Sequence, residues 1–110
     1  MLAACATSEG TGSARAAADA TTQAVYADNY DAVISNFDSG LKQQPSRAEV
    51  GSLSDTLHSL GNYKGISYVD GDPVKAEYTY RLSFDKGTMA LVVRVGQDGH
   101  LSAYRLFAQS

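Results

Sequence analysis

The sequence contains few of the residues from which a disulfide framework, a metal site or a membrane span is built. It has one cysteine, two histidines, two prolines and no tryptophan among 110 residues. A single cysteine excludes an internal disulfide, and no apolar stretch approaches the about 20 residues of a membrane-spanning helix. The net charge of −3 provides no positive field to attract phosphates, which disfavours non-specific nucleic-acid binding. The hydrophobic core must therefore stabilise the fold.

The rest of the composition is that of one ordinary globular domain. Hydrophobic residues make up 44% and charged residues 19%, and a chain of 110 residues has room for one compact domain but not for two. Residues 6–23 consist almost wholly of small residues with a few charges, which is typical of a flexible tether. The composition becomes rich in alanine from Ala14 onward. We expect a tether over residues 1–13 and a single folded domain over residues 14–110.

The lone cysteine follows a short apolar sequence at the start of the chain. The segment Leu2-Ala3-Ala4-Cys5 resembles the lipobox that ends a bacterial lipoprotein signal peptide, where small residues let the signal peptidase reach the bond before a lipidated cysteine. A signal peptide carries a basic and an apolar region before its box, and here only Met1 precedes Leu2. The alternative is an accidental match with Cys5 as an unused thiol. The order of cysteine, tether and domain favours lipidation of Cys5, which predicts a lipid-anchored protein of the bacterial cell envelope that faces the periplasm or the exterior.

Two helices are predicted in the first third of the domain. Apolar and aromatic residues recur at spacings of three and four, as on one face of a helix, at Tyr26, Tyr30, Val33, Ile34, Phe37 and Leu41. Asp28 or Asn29 can cap a new helical turn within this stretch. The pattern therefore predicts one helix over residues 14–27 and a second over residues 29–38.

A third helix is predicted from a capping-box pattern. Ser46 precedes Glu49 by three residues, so that each side chain can bond the backbone N–H of the other residue. The apolar residues that follow share one helical face: Val50, Leu53, Leu57 and Leu60. Gly61 is the expected stop.

After Gly61 the hydrophobic period changes from about 3.6 to 2 residues, which predicts strands. Alternate residues are apolar or aromatic at Val74, Ala76, Tyr78, Tyr80, Leu82 and Phe84. Lys86-Gly87 and Asp98-Gly99 are typical two-residue hairpin turns, since glycine accepts the positive φ that these turns require. With a first strand over Tyr63–Val69, the turns predict a curved four-stranded antiparallel meander with N-terminal helices packed on it, an α+β fold.

The two turns also predict the cross-strand pairs. The Lys86-Gly87 turn predicts the pairs Leu82 with Leu91 and Tyr80 with Val93. The Asp98-Gly99 turn predicts the pairs Leu91 with Leu106, Val93 with Tyr104 and Val95 with Ser102. Both registers keep the apolar side chains together on one face of the sheet.

Helices followed by such a meander resemble the cystatin-like and nuclear-transport-factor-like (SnoaL-like) superfamily, whose curved sheet wraps helices into a half-open cone. Four short stretches look like small bacterial domains of unknown function in that superfamily, many of them lipoproteins: Tyr30-Asp31, Phe37-Asp38, Leu41-Lys42 and Leu60-Gly61-Asn62-Tyr63. Cystatins inhibit proteases through a Gln-x-Val-x-Gly loop, which Gln97-Asp98-Gly99 does not supply. Isomerases of the superfamily use carboxylates and a tyrosine inside the cone, and the predicted inner rows contain no Asp or Glu.

Tyrosine is the enriched residue type, with seven copies. A pocket for an apolar ligand could be lined by Tyr26, Tyr30, Tyr78, Tyr80 and Tyr104. The favoured alternative is packing in the core and at its rim, where a tyrosine buries its ring and exposes its hydroxyl. His58 and His100 lack a second ligand at metal spacing. No catalytic residue, metal ligand or cofactor is predicted.

The outer face of the predicted sheet is less polar than a solvent-facing sheet should be. The predicted rows bring three arginines together with exposed apolar residues: Arg81, Arg94 and Arg105 with Val92, Leu101 and Phe107. An apolar patch surrounded by arginine is typical of a partner surface. We expect a protein partner or a homodimer to bind there, and a different, acidic protein fits the three arginines better than a second copy does. The alternative is a partly covered sheet on which Glu77 and nearby acids pair with the arginines.

These observations support two hypotheses of function. The first is a non-enzymatic, lipid-anchored envelope domain that acts as a binding or accessory module for an unidentified ligand. The second is a small enzyme of the isomerase or cyclase kind with a pocket inside the cone. An acidic or histidine side chain in a deep pocket, within hydrogen-bond reach of a tyrosine hydroxyl, would favour the enzyme.

Overall fold

A computed structural model describes residues 2–96 and 99–108, with side chains from residue 14 onward in these ranges. Three helices and a short 3-10 turn precede four strands: α1 (Leu2–Tyr26), α2 (Tyr30–Ser35), the turn Leu41–Gln43, α3 (Arg47–Ser59), β1 (Tyr63–Asp72), β2 (Glu77–Phe84), β3 (Thr88–Val95) and β4 (Leu101–Ala108). The strands form one antiparallel sheet in the order β1-β2-β3-β4. The predicted α+β fold with its four-stranded meander is confirmed.

The helix boundaries differ from the predicted ones at the start of the chain. The first helix begins at Leu2, although the composition predicted a tether over residues 1–13 and a helix from residue 14. Alanine has the highest helix propensity of all residues, and residues 2–13 contain no proline that would end the helix. The predicted role of this segment as a spacer stays a prediction.

The third helix begins as its sequence predicted. The Glu49 N–H donates to the Ser46 Oγ at 3.1 Å, and the Ser46 N–H donates to the Glu49 Oε1 at 2.9 Å. This reciprocal pair satisfies two backbone donors at the helix start. The end is also as predicted, since Gly61 has a φ of +93° that favours glycine.

The turn between β2 and β3 lies one residue earlier than predicted. The Phe84 N–H donates to the Gly87 carbonyl at 2.9 Å, which makes Asp85-Lys86 the two turn residues. The turn packs on the start of β1, where the Asp85 N–H donates to the Asn62 carbonyl at 3.2 Å. These contacts outweigh the local preference for glycine inside the turn.

The earlier turn shifts the register between β2 and β3 by two residues. Leu82 therefore lies opposite Met89, and Tyr80 lies opposite Leu91, so the predicted pairs of these two residues are wrong. Because successive side chains of a strand alternate between faces, a shift of two leaves every side chain on its predicted face.

The pairing of β3 with β4 follows the prediction until a bulge near the start of β4. The pairs Leu91 with Leu106 and Val93 with Tyr104 are confirmed. Beyond Arg94 the register shifts, and Val95 lies opposite Leu101 instead of Ser102. Gly99 has a positive φ of 85°, as a turn glycine should, and Gln97 and Asp98 lie outside the described residues.

The bulge changes the position of Leu101. We predicted Leu101 on the exposed outer face, but its side chain is 0% exposed and belongs to the core. The extra residue of a bulge turns the side chains on one side of it to the other face. The backbone of Leu101 also bonds the segment after α2, accepting from the Asp38 N–H and donating to the Asn36 carbonyl, both at 2.8 Å.

The core lies between the inner face of the sheet and the helices. Its fully buried members come from all layers of the fold: Ala14, Ala18, Leu57, Tyr80, Leu82, Leu91, Val93 and Leu101. Ala14 and Ala18 let α1 approach the sheet closely. Thr21 and Thr22 are also buried, and their hydroxyls donate to backbone carbonyls one turn earlier.

Helix α1 runs antiparallel to β1. As α1 proceeds, its side chains bond residues that come earlier and earlier in and before β1. Arg15 donates to the Ile66 carbonyl (3.0 Å), and Asp19 accepts from the Tyr63 hydroxyl (2.7 Å). Tyr26 donates to the carbonyl of Gly61, just before the strand (3.0 Å). The N-terminal end of α1 therefore points toward the end of β1 and the hairpin that follows it.

Candidate functional site

Two of the five tyrosines that could line a pocket belong to the core. Tyr78 and Tyr80 lie on the inner face of β2 and are 7% and 0% exposed. Burial raises the pKa of Tyr80 to about 12. Tyr68 packs edge-on against Tyr80, with the ring centroids 5.9 Å apart. Tyr78 and Tyr80 therefore pack in the core, as the favoured alternative to a ligand pocket predicted.

The other tyrosines lie at separate places. Tyr26 stacks on His58 with the ring centroids 4.0 Å apart, and the Nε2 of His58 bonds the Tyr26 carbonyl at 2.8 Å. The ring of Tyr30 lies 4.6 Å from the guanidinium carbon of Arg47. The structure therefore does not bring the five tyrosines together at one pocket.

Tyr104 borders an apolar recess of about 280 Å³ between the helices and β4. Its hydroxyl lies 2.7 Å from the Thr22 Oγ1, and Thr22 donates its own proton to the Ala18 carbonyl, so Tyr104 is the donor of this bond. Burial raises the pKa of Tyr104, which keeps the hydroxyl protonated. Glu49 at the rim is already engaged in the cap of α3. The recess can accept an apolar group, but the side chains of Tyr104 and Glu49 are bonded elsewhere and do not orient one.

A polar groove of about 550 Å³ lies between α1 and the start of β1. At its edge the Tyr63 hydroxyl donates to the Asp19 Oδ1 at 2.7 Å, and the Gln23 Nε2 donates to the Asp19 Oδ2 at 3.1 Å. Burial and the bond to Asp19 raise the pKa of Tyr63. Sequence reasoning missed this pair because residues 19 and 63 meet only through the packing of α1 on β1, which no local spacing encodes.

Asp85 bonds the segment that borders this groove. Its Oδ2 accepts from the Asn62 N–H at 2.9 Å, and its Oδ1 lies 3.3 Å from the Lys64 Nζ. The Asn62 N–H, followed by the Lys64 ammonium, lowers the pKa of the Asp85 carboxyl below its usual range. The carboxylate thus joins the β2–β3 turn to the start of β1.

Acid should weaken this junction. A carboxyl whose pKa is lower in the folded state contributes stability above its unfolded-state pKa, and this contribution is lost as the pH falls from about 4 through the folded-state pKa. We expect Asp85→Asn to reduce the stability at pH 7 and to flatten the fall in stability below pH 4. Urea unfolding at pH 7 and pH 3 measures both effects. Asp55→Asn, at an exposed position on α3, is the control and should change neither, and an unchanged pH profile for Asp85→Asn would contradict the prediction.

The face of the sheet opposite the helices carries the predicted arginines in shifted rows. The observed rows are Glu77, Arg94 and Ala103; Thr79, Val92 and Arg105; and Arg81, Ala90 and Phe107. This set, with the outward residues of β1, is called the outer face below. The predicted pairs Leu82 with Leu91 and Tyr80 with Val93 would place Arg81 opposite Val92, which is wrong by two residues. Apart from Leu101, all predicted members of the outer face lie on it.

The arginines of the outer face differ in their partners. Arg94 pairs with Glu77 at 3.1 Å across the strands. Within residues 14–96 and 99–108, Arg81 and Arg105 form no ion pair. Phe107, on the same face, is 49% exposed. The alternative interpretation was that Glu77 and nearby acids pair with the arginines. In this part of the chain it holds for Arg94 alone.

Acidic residues of β1 occupy the opposite side of the outer face. Asp70 lies opposite Thr79, and Asp72 lies opposite Glu77. A Cβ at the intervening Gly71 would meet the Tyr78 ring at 2.5 Å, which shows that Gly71 faces inward and its two neighbours outward. The outer face is thus acidic along β1 and basic along β3 and β4. The sequence predicted the arginines but left the register of β1 open, and so it did not reveal this polarity.

Comparisons with protein-family models, with curated proteins and with solved structures found no match to this chain. The resemblance to the cystatin-like and nuclear-transport-factor-like superfamily therefore stays a prediction. None of the helices in the described ranges is long and apolar enough to cross a membrane. The same ranges contain no group of three or more His, Cys, Asp or Glu side chains arranged to hold a metal ion.

Proposed function

We propose that this chain is a non-enzymatic binding domain of a bacterial envelope, anchored through a lipid on Cys5, and that the outer face is its binding surface. One observation carries the binding role: within residues 14–96 and 99–108, Arg81 and Arg105 have no acidic partner and share the outer face with the half-exposed ring of Phe107. Arginine and aromatic residues are enriched where proteins bind each other. The helices cover only the inner face, so the outer face is open to a partner.

The proposed anchor rests on the lipobox-like segment before Cys5. The direction of α1 is compatible with it, because the N-terminal end of this helix points away from the start of β1 and past the hairpin after β1. Since α1 packs on the inner face, an anchor at its N-terminal end leaves the outer face accessible.

Val92→Glu is expected to abolish binding at the outer face and to leave the fold intact. Val92 lies in the middle row and is only partly buried, so a carboxylate there reaches water in the free protein and loses it in a complex. A photoreactive benzoyl-phenylalanine at the position of Ala103 measures binding by covalent capture in the native host. We expect a discrete cross-linked species, which Val92→Glu removes.

A photoreactive residue at the position of Thr56, on the exposed side of α3, is the matched control. The same species from both positions, or none from Ala103, would contradict the proposal. The mass of the captured species distinguishes a second copy of the chain from a different protein.

The enzyme remains the second candidate because of the groove that contains Asp19 and Tyr63. An acid within hydrogen-bond reach of a tyrosine hydroxyl is the arrangement that general acid–base catalysis requires. Both oxygens of Asp19 are already bonded, and the groove lies at the edge of the sheet instead of inside the cone. We therefore place binding first.

A further inference from the structure

We propose that the outer face binds a second copy of this chain, face to face, about a two-fold axis parallel to the strands. The inference rests on the proposed function of the outer face and names its partner. It follows from the distribution of charge over the four strands, from the size of the face and from the direction of α1.

The charges of the outer face are complementary to themselves under this symmetry. The axis places β1 of one copy over β4 of the other and β2 over β3. Each row of one copy keeps its position along the strands and therefore lies over the same row of the other copy. Asp70 then faces Arg105 of the second copy, since both belong to the middle row. Glu77 faces Arg94 of the second copy in the adjacent row. Each contact occurs twice because the interface is isologous.

Asp70 and Arg105 cannot pair within one copy. They lie on the two edge strands, three strand spacings or about 14 Å apart. Between packed sheets the separation is about 10 Å, which an arginine and an aspartate span together. Packed sheets cross at about 30°, which displaces the facing edge strands by about 4 Å along the strand direction. The side chain of an arginine can span this displacement.

The size of the outer face sets the strength of the dimer. Eight residues at about 3.3 Å along four strands at about 4.8 Å give a face of about 26 by 19 Å, or about 500 Å² per copy. Two faces bury about 1,000 Å², which is at the lower limit for a specific interface. The dimer should therefore be weak and reversible in solution.

The direction of α1 selects the axis. A two-fold axis parallel to the strands preserves the component of α1 along them, so the N-terminal ends of both copies point to the same side. Both copies could then be anchored through Cys5 in one membrane. An axis perpendicular to the strands, still in the plane of the interface, points the two ends in opposite directions and also places Arg105 near Arg105 of the second copy.

Arg81 distinguishes the two axes. With the axis parallel to the strands, it approaches Arg81 of the second copy beside Ala90, where no acid lies in its row. With the perpendicular axis, it faces Glu77 of the second copy. Arg81→Gln should therefore strengthen the proposed dimer and weaken the alternative one.

Sedimentation velocity of the full chain, without lipid and with a reductant to keep Cys5 free, tests the proposal over a range of concentrations. We expect a reversible monomer–dimer equilibrium. Asp70→Arg and Arg105→Asp should each weaken dimerisation roughly tenfold or more through like-charge contacts. An equimolar mixture of these two variants should restore the dimer, because every contact then joins an arginine to an aspartate. Asp55→Arg on α3 is the control for net charge and should leave dimerisation unchanged.

Three results would overturn the inference: a wild-type chain that stays monomeric at all concentrations, a mixture that does not restore the dimer, or an Arg81→Gln variant that dimerises more weakly. Circular dichroism verifies that each variant is folded. If the wild type is monomeric while Ala103 captures a different protein, the inference fails and the proposed function stands. If Ala103 captures nothing, the proposed function fails as well.

Discussion

Leu101→Ala is expected to destabilise the domain by about 2–5 kcal/mol, the range for removing a fully buried leucine side chain. Leu101 is 0% exposed at the bulged start of β4. Its backbone bonds to residues 36 and 38 survive the substitution, so the loss reports on the side chain alone. Urea unfolding measures the difference.

Phe107→Ala is the matched control on the same strand. Its ring is 49% exposed on the outer face, so its removal should cost less than about 1 kcal/mol. If Leu101→Ala costs as little as Phe107→Ala, Leu101 lies on the outer face as the pairing without a bulge predicts.

Cys5→Ala is expected to move the protein from the detergent phase to the aqueous phase almost completely. When the chain is expressed behind a complete signal sequence, we expect a diacylglycerol on Cys5. Each buried CH₂ of the acyl chains contributes about 0.8 kcal/mol to membrane binding, so two chains hold the protein firmly. Detergent partition measures the association, and mass spectrometry identifies the modified residue.

Ser8→Ala, which keeps the cysteine and changes a nearby small residue, serves as the control and should stay in the detergent phase. A mature N-terminus at another residue would refute the lipid anchor. Membrane association that survives Cys5→Ala would refute it as well.

The face on which each strand residue lies could be predicted from the sequence, because successive side chains alternate between the two faces. A register shift by an even number of residues does not change this assignment. The turn between β2 and β3 lies one residue before Lys86-Gly87, yet Tyr80 and Leu82 stay on the inner face since the register moves by two. Leu101 could not be placed in this way, because a bulge adds one residue and moves the side chains beyond it to the opposite face. A bulge depends on the contacts of the whole sheet, here including the segment that bonds Leu101.

The candidate site was predictable only in part. The arginines of the outer face follow from the alternation in β2, β3 and β4. The acids opposite them depend on the bulge between Tyr68 and Asp70, which the Asp70-Gly71-Asp72-Pro73 connection does not specify. The contact of Asp19 with Tyr63 depends on how a helix lies on a strand 44 residues away, and this is set by the fit of Ala14 and Ala18 against the sheet.

The bonds between Leu101 and residues 36–38 bear on how the sheet can grow. An edge strand with free N–H and C=O groups is a template for adding foreign strands, which leads to polymers and fibrils. A strand added along β4 would have to displace residues 36–38 from Leu101. A strand added along β1 would meet two register irregularities and the guanidinium of Arg15 on the Ile66 carbonyl. Foreign strands are therefore hindered from adding at the Leu101 end of β4 and at Ile66 on β1, two points from which a fibril could otherwise start.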